Sequence, residues 1–218
     1  MGLAFDVIFF DLMNTVIRDP YREALVAATG LPLREAAIQR DPSVWPAFES
    51  GLIDEETFAR TYFRPIGEDR TVDVEVREAT ATVPERRLDL AAVHRARHAG
   101  YAFIPGMREL LHALDGRAQR AIASNYPCWI DDIAERFELP TLFEHVFASC
   151  HLGVRKPSPE FYERILERVA KPAGACLFVD DREENCVAAE RAGMRSHHFT
   201  TADSLRAALT RAALLPGR

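Results

Sequence analysis

The sequence predicts an α/β fold: a Rossmann-like parallel sheet core with an inserted small helical cap subdomain. Three observations lead there. Short apolar runs that stop abruptly at polar residues alternate with amphipathic helical patterns, as in a parallel sheet built from strand–helix units. The first of these runs is short, apolar and bounded by polar residues, which suits a strand buried on both faces. The alternation breaks between residues 18 and 100, far more chain than the roughly dozen residues a strand crossover needs.

The expected strands come in order. Phe5–Phe10 (F-D-V-I-F-F) is rich in strand formers and ends at Asp11. Arg120–Ala123 stops at Ser124-Asn125-Tyr126-Pro127, and Val146–Ala148 stops at Ser149. Ala175–Val179 is the clearest run and stops at Asp180-Asp181, while Ser196–Phe199 precedes Thr200. Helices are expected between them. Pro105-Gly106 opens Met107–Leu114, with Leu110, Leu111 and Leu114 on one face, and Ile130–Phe137 follows the second strand. Ser158-Pro159-Glu160 reads as a helix start: a cap residue, a proline at the first position, then an acid near the positive end of the dipole. Phe161, Ile165, Leu166 and Val169 continue that helix at the right spacing. Glu183–Ala192 follows the fourth strand and stops at Gly193, and Asp203–Leu214 closes the pattern. Within the insert, Tyr21–Thr29, Leu33–Gln39, Ile53–Tyr62 and Leu88–His98 are amphipathic, and Trp45 and Phe48 are candidates to fill its core.

The chain has 218 residues, 48% of them hydrophobic and 28% charged. These proportions exclude a mainly disordered chain, a collagen and a disulfide miniprotein. A net charge of −6 implies no general attraction to nucleic acid or to an acidic membrane. Cys128, Cys150, Cys176 and Cys186 form no C-x-x-C pair and fit no zinc template, so they read as buried or partly buried thiols of a reducing compartment. The opening residues carry no basic segment ahead of their apolar run, so no secretory leader is expected. No apolar stretch approaches the roughly 18 residues of a membrane span. A cytoplasmic protein is the resulting expectation, as a monomer or a homodimer.

In open parallel sheets, ligands bind at the carboxyl ends of the strands. Those ends carry Asp11, then Ser124 and Asn125, then Asp180 and Asp181, and Lys156 comes from the loop after the third strand. Lys156 is conspicuous because the chain has 25 arginines and just two lysines, Lys156 and Lys171. Three carboxylates and one ammonium suit a hard, oxygen-ligated cation together with an anionic group. Mg²⁺ fits, since it prefers carboxylates and keeps part of its water shell.

On these residues the sequence resembles the haloacid dehalogenase superfamily of hydrolases. F-F-D-L-M-N-T-V at 9–16 is similar to the family's first motif and I-A-S-N at 122–125 to its second. G-V-R-K-P at 153–157 is similar to the third, and F-V-D-D-R-E-E-N at 178–185 to the fourth. The motifs occur in family order, and the resemblance runs over most of the chain. The insert directly after the first motif resembles the family's small helical cap. It divides the chain into a hydrolase core, residues 1–17 and 101–218, and a cap, residues 18–100.

The resemblance implies a Mg²⁺-dependent phosphatase acting on a small phosphorylated metabolite through an aspartyl-phosphate. Asp11 is then the nucleophile. Ser124 and the Asn125 backbone hold the transferred group, and Lys156 offsets charge on nucleophile and substrate. Asp11, the Met13 carbonyl and Asp181 are the implied metal ligands, with Asp180 in support and Asn185 orienting Lys156 or the acids. One position departs from the pattern. Phosphatases of this family usually carry a second Asp two residues after the nucleophile, to protonate the leaving oxygen and later to activate water. Met13 does neither. Two alternatives therefore stand: a weak or non-catalytic binding protein on the inherited fold, and a 2-haloacid dehalogenase, whose halide leaves without a proton. Nearby, Tyr126 and Trp129 either line a substrate entrance or pack, and His151 either reaches the rim or lies on the surface.

Overall fold

Four apolar residues without a polar interruption form β1 (Val7–Phe10), and all four are buried. The structure is a computed structural model and describes residues 5–63 and 86–216. The opening segment read above for a leader (1–4) and residues 64–85 of the expected cap lie outside the described residues. After β1 come α1 (Tyr21–Thr29), α2 (Leu33–Gln39), α3 (Val44–Glu49), α4 (Glu55–Thr61) and α5 (Leu90–Gly100). They are followed by α6 (Met107–Ala113), β2 (Gln119–Ser124), α7 (Ile130–Arg136), α8 (Leu139–Leu142) and β3 (His145–Ala148). The chain continues through α9 (Ser149–Leu152), α10 (Pro159–Val169), β4 (Cys176–Asp180), α11 (Glu183–Arg191), β5 (Arg195–His198) and α12 (Ala202–Arg211).

The five strands form one sheet in the order β3-β2-β1-β4-β5, parallel at every pairing. β1 is central, so the connections depart to opposite sides of it, the arrangement that opens a crevice at the strands' carboxyl ends. Register sets what meets there. Phe10 lies opposite Ile122 of β2 and Val179 of β4. One residue further along each strand therefore brings Asp11 level with Ala123 and Asp180, and the Asp11 N–H donates to the Val179 carbonyl at 2.8 Å.

Beneath that rim the sheet is held by aromatic and aliphatic packing. Phe9 lies 6.3 Å from Phe147 and 6.5 Å from Phe178, ring centre to ring centre. Tyr162 and Ile165 of α10 and Ala189 of α11 close the same cluster. Ser158 precedes α10 as expected, but its hydroxyl makes no capping bond; its carbonyl instead accepts the Phe161 N–H at 3.0 Å. Cys176 and Cys186 are buried and Cys150 half-buried, whereas Cys128 is exposed, contrary to expectation, in the turn ahead of α7.

The chain divides into two compact units. Met1–Asp19, Glu49–Leu52 and Tyr101–Arg218 form one; Pro20–Phe48 and Ile53–Gly100 form the other. In the second, Phe48 stacks on Phe58 at 4.5 Å and Trp45 lies 4.6 Å from Tyr21, as expected of residues filling its core. Two helices there start later than their apolar periodicity suggests, because an aspartate caps each. Asp54 accepts the Thr57 N–H ahead of α4, and Asp89 accepts the Ala92 N–H ahead of α5.

Gly51 belongs to the first unit and has a φ of +68°, and a Cβ placed on it would sit 2.6 Å from the Cys150 carbonyl oxygen. Both the left-handed backbone and the close approach demand glycine. Gly51→Ala is expected to destabilise the fold by about 1–3 kcal/mol, seen as a lower denaturation midpoint with an unchanged slope. An unchanged midpoint would contradict the packing described. Among the described residues, no helix is long and apolar enough to cross a membrane.

Candidate active site

The rim is organised around a buried ion cluster. The Lys156 ammonium donates to Asp11 Oδ1 at 2.8 Å and to Asp180 Oδ2 at 2.6 Å, and all three side chains are at least nine-tenths buried. Charges so far from water persist only when paired and hydrogen-bonded, and Asp180 is satisfied further. Asp180 Oδ1 accepts from Asn185 Nδ2 at 3.0 Å and from the Arg182 N–H at 2.9 Å. The Tyr162 hydroxyl holds the Asn185 carbonyl at 2.9 Å. Among the acids, the Asn185 side chain thus bonds Asp180. Asp180 satisfies an N–H just before α11, where Arg182 occupies the cap position.

The second strand contributes in two ways. Ser124 is fully buried, and its hydroxyl has no hydrogen-bond partner among the described residues. A buried hydroxyl in that state is primed to bond an incoming oxygen. Asn125 clamps the loop that carries Lys156: its Nδ2 donates to the Lys156 carbonyl at 2.9 Å, and its Oδ1 accepts the Lys156 N–H at 2.8 Å. This side-chain clamp was not foreseen. Asparagine after the second strand gives no hint of its partner, which lies 31 positions away.

Burial pushes the Asp11 carboxyl up to about 7, against the pull of Lys156 and with the Asp180 charge adding to the rise. Asp181 is raised as well, first by burial and then by Asp180. Burial lowers Lys156, but the two carboxylates outweigh it and leave the ammonium raised and charged. The carboxylates of Asp11, Asp180 and Asp181 offer oxygens that lie within 4.8 Å of one another. Three carboxylates against one ammonium leave a formal charge of −2, and that donor set fits one divalent, oxygen-seeking cation. Such an ion would also draw the acids back to their ionised forms.

Met13 is buried, and it bridges to Ile17 within the turn after β1. Tyr126 and Trp129 are buried too, and the Tyr126 hydroxyl shares a hydrogen bond with that of Tyr101. His151 lies on the surface, 3.5 Å from the Asp131 carboxylate. Sequence reading also missed Tyr162, because a tyrosine at an apolar helix position reads as core, and its hydroxyl adds no signal.

Fold and rim together define the class: an α/β core of parallel strands with an acidic, cation-compatible site at its strand ends. The chain belongs to the haloacid dehalogenase-like hydrolases, whose family model matches residues 5–193. It is 34% identical over 200 residues to flavin mononucleotide hydrolase 1 (chloroplastic) of Arabidopsis thaliana, covering 91% of this chain and 74% of that one. A sesquiterpene phosphatase of Aspergillus oryzae is 47% identical over 64 residues, 29% of this chain and 32% of that protein. Among solved structures, a HAD-like family hydrolase from Porphyromonas gingivalis superposes with a TM-score of 0.72 at 22% identity, covering 95% of this chain and 97% of that one. A HAD family enzyme from Bacteroides thetaiotaomicron, solved with magnesium and inorganic phosphate, gives 0.65 at 18% identity, covering 90% and 95%. At these identities the two structures speak for the fold.

Proposed function

We propose that this hydrolase is a Mg²⁺-dependent phosphatase that moves the phosphoryl group of a small monoester to Asp11 and then to water. The observation that carries the reading is the buried Lys156 ammonium bonded to both Asp11 and Asp180, at 2.8 and 2.6 Å. That contact fixes the attacking carboxylate and places positive charge where the phosphoryl oxygens gather. In the first step an Asp11 oxygen forms a bond to phosphorus while the ester P–O bond breaks, and the leaving oxygen takes its proton from solvent. Ser124 donates its hydroxyl to a phosphoryl oxygen. In the second step water attacks phosphorus and restores the Asp11 carboxylate. Asp11, Asp180, Asp181 and the Met13 carbonyl would hold the metal. When bound, Mg²⁺ supplies charge that lets one anion attack another.

In this reading the cap is drawn from residues 18–100, with Glu49–Leu52 belonging to the core unit. The named activities of the Arabidopsis and Aspergillus relatives support a small phosphorylated substrate, with flavin mononucleotide first among those to test. The free thiols of Cys128, Cys150, Cys176 and Cys186 support a reducing, cytoplasmic setting. Phosphate release from flavin mononucleotide and simple monoesters is expected with Mg²⁺ and is expected to vanish with a chelator. A rate indifferent to chelation contradicts the proposal, and halide release from a 2-haloacid under chelation would replace it with dehalogenation.

Met13 bears on rate. An acid at that position would protonate the leaving oxygen, and general acid catalysis is worth about 10²–10⁴-fold. Met13→Asp is accordingly expected to raise kcat toward that range. A variant no faster than wild type would show that another group already supplies the proton. A silent wild type with an active variant would favour the binding-protein alternative.

A further inference from the structure

We infer that Glu49 is a positioning residue for Lys156, acting through Arg155 and the Asn125 clamp; the inference rests on the role proposed above for Lys156. Glu49–Leu52 stands in sequence amid the residues of the second unit yet belongs to the first. The Glu49 carboxylate lies 2.7 Å from the Arg155 guanidinium, its side chain 8% exposed against 33% for the arginine. A carboxylate that buried holds a nearby cation, since separating the pair is costly in a site poorly reached by water. Arg155 is therefore held in place, and Arg155 immediately precedes Lys156.

A second tie reaches the other flank. The Glu49 carbonyl accepts the Ser149 hydroxyl, and the same Ser149 oxygen accepts the Tyr126 N–H at 3.0 Å. Tyr126 follows Asn125, whose side chain bonds both the N–H and the carbonyl of Lys156. The fit of Gly51 against the Cys150 carbonyl keeps the segment in contact with Ser149-Cys150. A lysine side chain is long and flexible, so the backbone that bears it decides whether its ammonium meets both carboxylates. Glu49 anchors that backbone from both sides without touching a reacting atom.

The test compares Glu49→Gln, Arg155→Gln and the double variant, using 4-nitrophenyl phosphate with Mg²⁺ and amide hydrogen exchange over residues 153–158. Glu49→Gln is expected to lower kcat by tenfold to a hundredfold, in rough terms, with KM nearly unchanged, since a small displacement of a catalytic group costs that much. The double variant is expected to lose no more than the worse single, because both remove one interaction. Exchange at 153–158 is expected to quicken in all three. Should Glu49→Gln fail to fold, Arg155→Lys keeps the charge on a partly exposed side chain, changes its reach and shape, and is expected to lower kcat at an unchanged melting temperature. Wild-type kcat in the folded variants, or losses that multiply, overturns the inference. A wild-type protein that releases no phosphate overturns the phosphatase reading instead. The exchange data then still decide: faster exchange upholds the anchoring and unchanged exchange rejects it.

Discussion

Asp11→Asn is expected to lose phosphate release almost completely, with kcat down by at least about 10³-fold, the scale seen when a covalent nucleophile is removed. The amide is nearly the same size and still offers an oxygen to the Lys156 ammonium, which keeps its bond to Asp180 at 2.6 Å. What disappears is the negative charge that makes the carboxylate oxygen the nucleophile of the proposed reaction; a neutral amide oxygen is too weak a nucleophile to replace it. The substitution also takes one charge from a rim crowded with carboxylates, so the variant is expected to fold at least as stably as wild type. Thermal unfolding followed beside the kinetics separates the two effects. Appreciable turnover by a folded Asp11→Asn protein would remove Asp11 from the chemistry.

Lys156→Met is expected to damage both stability and rate. The methionine fills much of the same space, but Asp11 and Asp180 then face each other, buried, without the ammonium that now bonds both. Breaking a buried ion cluster by removing one partner costs about 3–5 kcal/mol, which denaturant titration reads directly. Loss of a preorganised charge at the transferring group is expected to cost kcat on the order of 10²–10³-fold. A further signature separates this from simple cavity formation. In the proposed reading Mg²⁺ binds the folded state, so its stabilisation by mass action is expected to be larger for Lys156→Met than for wild type, because the uncompensated carboxylates bind the ion more tightly. Equal Mg²⁺ stabilisation of the two proteins would argue against a shared cluster.

The sheet was legible chiefly through β1 and β4, apolar runs that lead into the candidate site residues Asp11 and Asp180. Val7–Phe10 and Cys176–Asp180 are buried at every position, which only a central strand of a covered sheet allows. Lys156 stood out because lysine is rare in this chain. The short helices α3, α8 and α9 were missed, since segments of four to six residues complete little more than one turn and show no period. Supporting contacts were also invisible: Glu49 and Ser149 are 100 positions apart. Nothing local announces such a pairing. The Ser158 hydroxyl illustrates the converse. Its place before α10 was plain, but the backbone carbonyl took the bond that the side chain was expected to make.

The central claim is that the phosphoryl group passes through Asp11. Acid quenching of the enzyme during turnover with Mg²⁺, followed by borohydride reduction and peptide mass spectrometry, tests this directly, because an acyl phosphate is reduced to an alcohol while a free carboxylate is not. The account predicts homoserine at position 11, only when both substrate and Mg²⁺ are present. Phosphate release with Asp11 unmodified, or reduction at a different residue, would contradict it.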